Sequence, residues 1–509
     1  MRRRTFLKTA AAAGCSAVLW RGGIVRGAAR PNIVWILAED MSCHFGYQGN
    51  RLVSTSRVDH PLPRTVTSRA RISSNRLVST PRVDQLAAEG TVCSSAYVTA
   101  PVCSPSRSAL ITGMYQTSIG AHHHRSSRSP EAPITLPDPV QPAPELFRRA
   151  GYWVGNVSWP DGGPGKTDYN FVYADALYDG TDYTRRASDQ PFFMQFQLRG
   201  GKFRNAQVPQ PVSSDDVELP PYYPDHPVLR ADWAQYLNSV IQVDLEVGAI
   251  LDKLRADRAL ENTVIFFLTD HGISHARGKQ FLYEEGTRVP LIVWGSEHIP
   301  SGAVRHDLIS HIDITATSLA LAGIPVPEWM EARPFLGPDA RPREYVVSAR
   351  DRCDETVDRI RSIRDSRFTY IRNGYPRRPH LQPNAYKDAK EILACMRELY
   401  AAGKLAGHPA ERLFTVPRPA EELYDRTADP WELHNLAEDP AHAEQLQRMR
   451  SLLDRWIAET GDKGQAPEPE TAYDAEMAVY LSQVNRSPEY VEQLRKNIAQ
   501  MKAWAAVGM

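Results

Sequence analysis

Two apolar runs constrain the fold more than any other feature of this chain. "PNIVWILAED" (31–40) and "NTVIFFLTDHG" (262–272) are continuous hydrophobic stretches, and each ends abruptly in acids. A strand that is apolar on both faces must be covered on both, the condition of a central strand in an α/β sheet. Acids at its carboxyl end then sit where such sheets gather polar chemistry. "PFFMQFQ" (191–197) and "PLIVWG" (290–295) supply two further strands, and the amphipathic stretch 233–257 supplies a helix. Strands alternating with helices predict an α/β domain whose site lies at the strand ends.

The texture changes near residue 340. Short strand-like segments in "REYVVSARD", "IRSIRDSRFTYIRNG" and "EELYDRTADPWELHNL" precede helices near 440–459 and 487–505. These predict a smaller C-terminal α+β domain over 341–509, packed on a catalytic domain over 30–340. Proline-rich segments at 130–144 and 208–227 read as loops roofing the site. "NRLVSTSRVD" (50–59) recurs as "NRLVSTPRVD" (75–84), with nine of ten residues identical. Only the second copy continues into a helix, with Thr80 as cap and Pro81 at the first helical position. Residues 51–75 therefore read as a duplicated loop insertion.

The chain holds 60 basic and 60 acidic residues. Six of the basic ones lie in residues 1–29, which hold no acid; without them the balance is 54 against 60, a net of −6. That excludes a general polyanion-binding surface of the kind nucleic-acid partners need, so anion recognition has to be local. "MRRRTFLKTAAAAGCSAVLW" has a basic start and an apolar run too short to span a bilayer. Arg3-Arg4-Thr5-Phe6-Leu7-Lys8 resembles a twin-arginine export signal. It predicts cleavage after Ala29 and a periplasmic or secreted protein, exported folded by the Tat machinery and without a membrane span. A lipoprotein signal ending at Cys15 is disfavoured, because no leucine stands three residues before it. The other cysteines, Cys43, Cys93, Cys103, Cys353 and Cys395, are odd in number and scattered. They form no disulfide framework and no CxxC zinc pair.

"PVCSPSRSALITG" (101–113) carries the chemistry. The neighbours of Cys103 are poor core material, and Arg107 lies one helical turn away. A buried small side chain, an activated thiolate and a precursor of another group all remain open from the residues alone. The string from Cys103 to Gly113 resembles the C-x-P-S-R…T-G signature of the type I sulfatases. The resemblance extends through most of the chain, in "HIDITATSLALAGIPVP" and "EELYDRTADPWELHNLAEDP". "AEDMS", "KTDYNF" and "ARDRCDETVDRIRSIRD" look closest to bacterial relatives of heparan N-sulfatase.

This resemblance implies an alkaline-phosphatase-like fold: a large mixed sheet flanked by helices, with the smaller domain at the C-terminus. It implies that a formylglycine-generating enzyme oxidises Cys103 to formylglycine (3-oxoalanine). It also implies one Ca2+ held by Glu39, Asp40, Asp270, His271 and the modified Cys103. Arg107 would hold the aldehyde hydrate, and Lys166 and Lys279 the sulfate oxygens. His124, in "GAHHHRSSR", is the candidate leaving-group acid, with His122, His123 and His275 as further candidates. Lys202, Arg350, Arg352, Asp354 and Glu355 are candidates for substrate recognition.

Three positions depart from the family pattern. Glu39 replaces the commoner Asp, Asp168 stands where a His follows the first lysine, and "FQLRGGKFR" replaces the usual "hDPH". Lys202 or Arg204 is the expected compensation. The chemistry itself asks for these groups, since cleaving a sulfate ester means stabilising charge on sulfate oxygens and on the leaving oxygen. The expected function is hydrolysis of sulfate esters or sulfamates on a sulfated carbohydrate. The alternatives are a formylglycine-dependent phosphodiesterase or phosphonate monoester hydrolase, and a sulfated-glycan-binding protein with a degraded site. Cys103, Arg107, Asp270 and Lys279, all present, argue against the last.

Overall fold

The computed structural model describes residues 30–48, 78–295, 299–482 and 486–509. The proposed leader and the 51–75 insertion lie outside these residues. Among those described, the strands in chain order are β1 (Asn32–Ala38), β2 (Thr91–Cys93), β3 (Ala96–Tyr97), β4 (Trp153–Ser158), β5 (Phe192–Leu198), β6 (Thr263–Thr269), β7 (Leu291–Trp294), β8 (Ala303–Arg305), β9 (Ile309–Ser310), β10 (Val346–Arg350), β11 (Ile360–Arg364), β12 (Phe368–Asn373) and β13 (Glu421–Asp425).

Seven of them form one mixed sheet in the order β4-β5-β1-β6-β7-β2-β8. β1 pairs in parallel with β5 and β6, and β4 in parallel with β5. The register sets Ala38 beside Leu198 on one side and Thr269 on the other. Four neighbouring strands therefore end at one edge, which collects Glu39-Asp40, Lys202 and Asp270-His271 within a few residues of strand ends.

The alternation of β1 shows why the run had to be apolar throughout. Val34 and Ile36 join a core with Phe267 and the helix Pro227–Ala256, through Trp233, Tyr236 and Val240. Ile33, Trp35 and Leu37 join a second core on the opposite face, with Phe266, Leu110 and Leu319. Burying each such side chain contributes about 1.5–3 kcal/mol, so a polar residue in either register would be costly.

β10–β13 form a separate four-stranded antiparallel sheet. The helix Ala443–Thr460 covers it, and Leu446, Leu453 and Trp456 share one apolar cluster with Val347, Ile363 and the large sheet's second face. The helix expected over 233–257 begins earlier, at Pro227, where the ring sits at the first helical position. The helix Pro81–Glu89 starts as expected, but Thr80 does not cap its backbone. Its hydroxyl instead donates to Asp84 at 2.8 Å and accepts from the Gly46 amide at 2.7 Å.

The expectation that 208–227 roofs the site needs correction. Tyr222 and Tyr223 are buried in the core, their hydroxyls bonded to Glu285 and the Ala276 carbonyl. The wall over the site comes instead from the helix Glu470–Leu481.

Candidate active site

Cys103 opens the buried helix Cys103–Thr112, which ends at Gly113 in the left-handed conformation (φ 69°). That start aims Sγ at the edge where the parallel strands end. His271 Nε2 lies 3.1 Å from Sγ, Lys279 Nζ 3.0 Å, Asp40 Oδ1 3.7 Å and Lys202 Nζ 3.8 Å. Burial disfavours a thiolate there. Lys166, Lys202, Lys279 and His271 overcome it and hold the thiol well below its ordinary pKa.

Arg107, one turn on, is 2% exposed and fully engaged. It donates to Asp270 (3.1 Å), Glu39 (3.2 Å) and Gln197 (2.8 Å). It thus ties the helix to three strand ends at once.

Asp40, Cys103, Asp270 and His271 each offer a ligand atom, and these atoms lie within 4.8 Å of one another, all buried. Two carboxylates buried side by side need a cation between them, and here Asp40 sits 3.1 Å from His271 Nε2 and 3.4 Å from Lys279 Nζ. Burial works against charging Asp40, yet Lys279 and Lys202 hold it well below the usual carboxylate range. Burial likewise opposes a charged His271, but Asp270, Cys103 and Asp40 push it up to about 10. This donor set fits a divalent cation, with carboxylate oxygens suited to a hard ion and one imidazole nitrogen.

Glu39 is not part of that cluster. Asp40 adopts φ 53°, and the turn sends the two neighbouring carboxylates different ways. Glu39 faces Arg107, Lys166 (3.0 Å) and Lys202. The segment that delivers Lys202 must be glycine: a Cβ on Gly200 would lie 2.3 Å from the Glu39 carbonyl oxygen, and one on Gly201 2.2 Å from that of Asp40.

Of the two residues expected to compensate for the missing histidine, only Lys202 reaches the centre. Arg204 instead bonds His275 Nε2 at 2.9 Å and lies over the Tyr236 ring. His275, paired with Asp232, is buried among Trp233, Tyr223 and Tyr236, away from Cys103.

The three consecutive histidines separate cleanly. His122 packs on His123, and burial followed by Arg361 drives it down to about 3. His123 accepts from the Arg352 amide at 3.3 Å. His124 turns the other way, placing a ring nitrogen within 4.8 Å of ligand atoms of Cys103 and Asp168. Its Nδ1 lies 3.1 Å from Asp354, which also accepts from Tyr480 at 2.8 Å. Burial works against the imidazolium, but Asp354 and then Cys353 raise it well above its ordinary value.

The 351–356 loop therefore serves the site mostly by support. Arg352 is locked bidentate on Glu468 (2.6 and 2.9 Å) and reaches the His124 carbonyl. Glu355 holds the Ala385 amide and Asn497 behind the site, and Arg350 pairs with Asp358 at 2.9 Å. Beyond His124 opens a cleft of about 410 Å³ lined by Arg125, Arg128, Asp168, Arg352, Asp354 and Tyr480. Arg125, Arg128 and Tyr480 escaped the sequence reading. The spacing Tyr473, Glu476, Met477, Tyr480 is the one available signal, the buried face of a helix.

Comparison with known proteins identifies the family. The Sulfatase family model matches residues 31–324. An ulvan-active sulfatase of Formosa agariphila is 31% identical over 491 residues, covering 87% of this chain and 77% of that protein. The human N-sulphoglucosamine sulphohydrolase is 28% identical over 508 residues, covering 88% and 94%. The solved structure of a 2-O GAG sulfatase superposes with a TM-score of 0.61 at 20% identity, covering 87% and 96%. That likeness establishes the alkaline-phosphatase-like fold for the sheet described above. With a cysteine presented by the helix Cys103–Thr112 to two strand-end acids and a ring of cations, the chain belongs to the sulfatase family of sulfuric ester hydrolases.

Proposed function

We propose that this protein hydrolyses a sulfate ester or sulfamate on a sulfated carbohydrate, with Cys103 matured to formylglycine. The observation that carries the reading is the shell around Cys103 Sγ: Lys279 at 3.0 Å, Lys202 at 3.8 Å and His271 at 3.1 Å, with Arg107 behind. Sγ stands where the oxygen of the modified residue would be. Formylglycine there would supply, as its hydrate, one hydroxyl to attack sulfur with loss of the alcohol or amine and a second whose proton loss releases sulfate, a route that thiol and serine lack.

Asp40, Asp270 and His271 would hold the cation, calcium by the family resemblance. A bound hard cation supplies neutralisation of charge on sulfate oxygens. Lys279 and Lys202 approach the same position from two sides and fix the remaining oxygens through charge-assisted hydrogen bonds. Arg107 fixes the helix start against Asp270 and Glu39, so the attacking group is oriented before substrate arrives. His124, kept charged by Asp354, supplies a proton to the departing oxygen or nitrogen.

The carbohydrate assignment rests on the charged cleft beside His124 and on the relatives, whose names refer to ulvan and N-sulphoglucosamine. We further propose residues 1–29 as a twin-arginine export leader, giving a periplasmic or secreted protein, and 341–509 as a smaller C-terminal domain. Desulfation assays on defined O- and N-sulfated disaccharides, run beside an aryl phosphodiester, test the function. Turnover of the phosphodiester at the greater kcat/KM would replace this reading with the phosphorus-ester one.

A further inference from the structure

The cleft beside His124 contains a cation that the reaction at Cys103 does not use. Arg125 adopts φ 56° and is followed two residues on by Ser127 at φ 61°. For residues with side chains this conformation is unfavourable, and it persists where surrounding bonds enforce it. Here the Arg125 amide donates to Ser104 Oγ at 2.8 Å, tying this loop to the residue next to Cys103.

The strained turn directs the Arg125 side chain into the cleft, where it is 37% exposed. Its guanidinium lies 5.5 Å from the Tyr480 ring centroid, and its nearest carboxylate, Asp354, is 3.9 Å away. Asp354 is already taken up by His124 and Tyr480. Among the described residues no hydrogen bond reaches the N–H groups of this guanidinium. Arg128, 38% exposed in the same cleft, spends only one nitrogen on Asp168, at 2.8 Å. A guanidinium held over a ring with its donors free is prepared for a planar or tetrahedral anion.

We propose that Arg125, braced by Tyr480 and assisted by Arg128, is a specificity-determining residue that binds a second anionic group on the substrate, a carboxylate or a further sulfate. This rests on the sulfated-carbohydrate reading above and narrows it. The preferred substrate then carries two anions, one at Cys103 and one on the same or the adjoining sugar. A neutral sugar beyond the scissile sulfate leaves Arg125 without its partner.

The test is calorimetric titration in a Cys103→Ala background with calcium present, which needs no turnover. The probes are glucosamine N-sulfate, glucosamine N,6-O-disulfate, and glucosamine N-sulfate linked to glucuronate. With Arg125 intact, one or both dianionic probes bind more tightly than the monoanionic one, and which of them does tells sulfate from carboxylate. Arg125→Gln should weaken that probe by about tenfold to a hundredfold, the worth of a hydrogen bond to a charged group. The monoanionic probe should change by less than about threefold, the scale of a surface substitution away from its contacts. Arg125→Lys should fall between, since it keeps the charge but not the fork. Three probes bound alike, or weakened alike by Arg125→Gln, overturn the proposal. Failure of the wild type to turn over any sulfate would count against the proposed function instead, and leaves the binding comparison decisive for Arg125.

Discussion

Asp354→Asn separates a proton donor from a merely packed histidine. Asp354 and His124 are 3% and 4% exposed and lie 3.1 Å apart. At that distance, with the effective dielectric of about 20 that suits such pairs, the attraction is about 5 kcal/mol. It has to offset the burial of both charges. Asparagine keeps the shape and the acceptor for Tyr480 but removes the charge, so burial then drives the proton off His124. Because the imidazole becomes neutral instead of stranded, the stability cost should be about 1–3 kcal/mol, below that of an orphaned buried ion. Loss of a general acid should lower kcat by roughly a hundredfold or more on a sugar sulfate. On an aryl sulfate with an acidic phenol, which departs without a proton, the loss should be small. The pH dependence has a definite sign. The raised pKa of His124 keeps the pair's contribution complete below 6.5 and loses it as pH climbs through the raised value. The lowered pKa of Asp354 loses it as pH falls below 3.8. The alkaline limb of the rate profile should therefore move to lower pH in the variant. Paired kcat measurements on the two leaving groups check this, and equal losses on both would refute the acid role of His124.

Three further outcomes are expected. In a host able to modify it, peptide mass spectrometry should show Cys103 converted from CH2–SH to CHO, and Cys103→Ser should accumulate sulfated enzyme while Cys103→Ala is inert; unmodified, fully active Cys103 would exclude the mechanism. Chelation should abolish hydrolysis and lower the melting temperature, and Asp270→Ala should do the same irreversibly; activity unaffected by either would remove the metal. Asp351 has its pKa raised to about 7 by burial, despite Arg361, so it weakens the fold progressively as pH rises from about 4 to 7. Asp351→Asn should therefore gain stability relative to the wild type on going from pH 4 to pH 8, read from urea unfolding at both; a difference between the two proteins that does not change with pH would refute this.

How much the sequence disclosed follows from which interactions are local. The strands β1 and β6 declared themselves because full burial forces an unbroken apolar run, and the acids after them mark the sheet edge. Cys103 and Arg107 are one helical turn apart, so their mutual placement is a matter of helix geometry. Lys279 and Lys166 came from the resemblance: Lys279 lies 3.0 Å from Cys103 Sγ, whereas Lys166 is paired with Glu39 and Asp168. The cleft wall did not, because the face Tyr473, Glu476, Met477, Tyr480 says that a helix is packed, not against what. Arg350, Arg352 and Glu355 illustrate a different gap. Charged residues in a loop read equally as ligand contacts or as supports; Asp358 and Asn497 engage Arg350 and Glu355 as supports, while Arg352 is held by Glu468 and also lines the cleft. His122 and His124 differ by two positions and serve different surroundings, since the loop backbone and not the residue type sets their directions.

Glu39 shows where chemistry can finish what position alone began. As one of two acids after β1 it belongs by position with Asp40, yet its carboxylate touches Arg107, Lys166 and Lys202, not the cluster of Asp40, Asp270 and His271. One anion shared by three cations keeps those cations from repelling one another and from collapsing onto Asp40. Its loss should then disturb the sulfate clamp and leave the metal in place. Glu39→Gln should retain stoichiometric metal by elemental analysis. Its stability should drop by about 2–4 kcal/mol, less than for a fully buried ion because Lys166 and Lys202 are 31% and 33% exposed and partly solvated. Its KM should rise, since Lys202 loses the partner that holds it near Cys103. Asp40→Asn, by contrast, should lose the metal while Lys166 and Lys202 stay in place on Glu39. If Glu39→Gln empties the metal site as completely as Asp40→Asn does, then Glu39 turns inward when the ion binds, and the division of labour drawn from the turn at Asp40 is wrong.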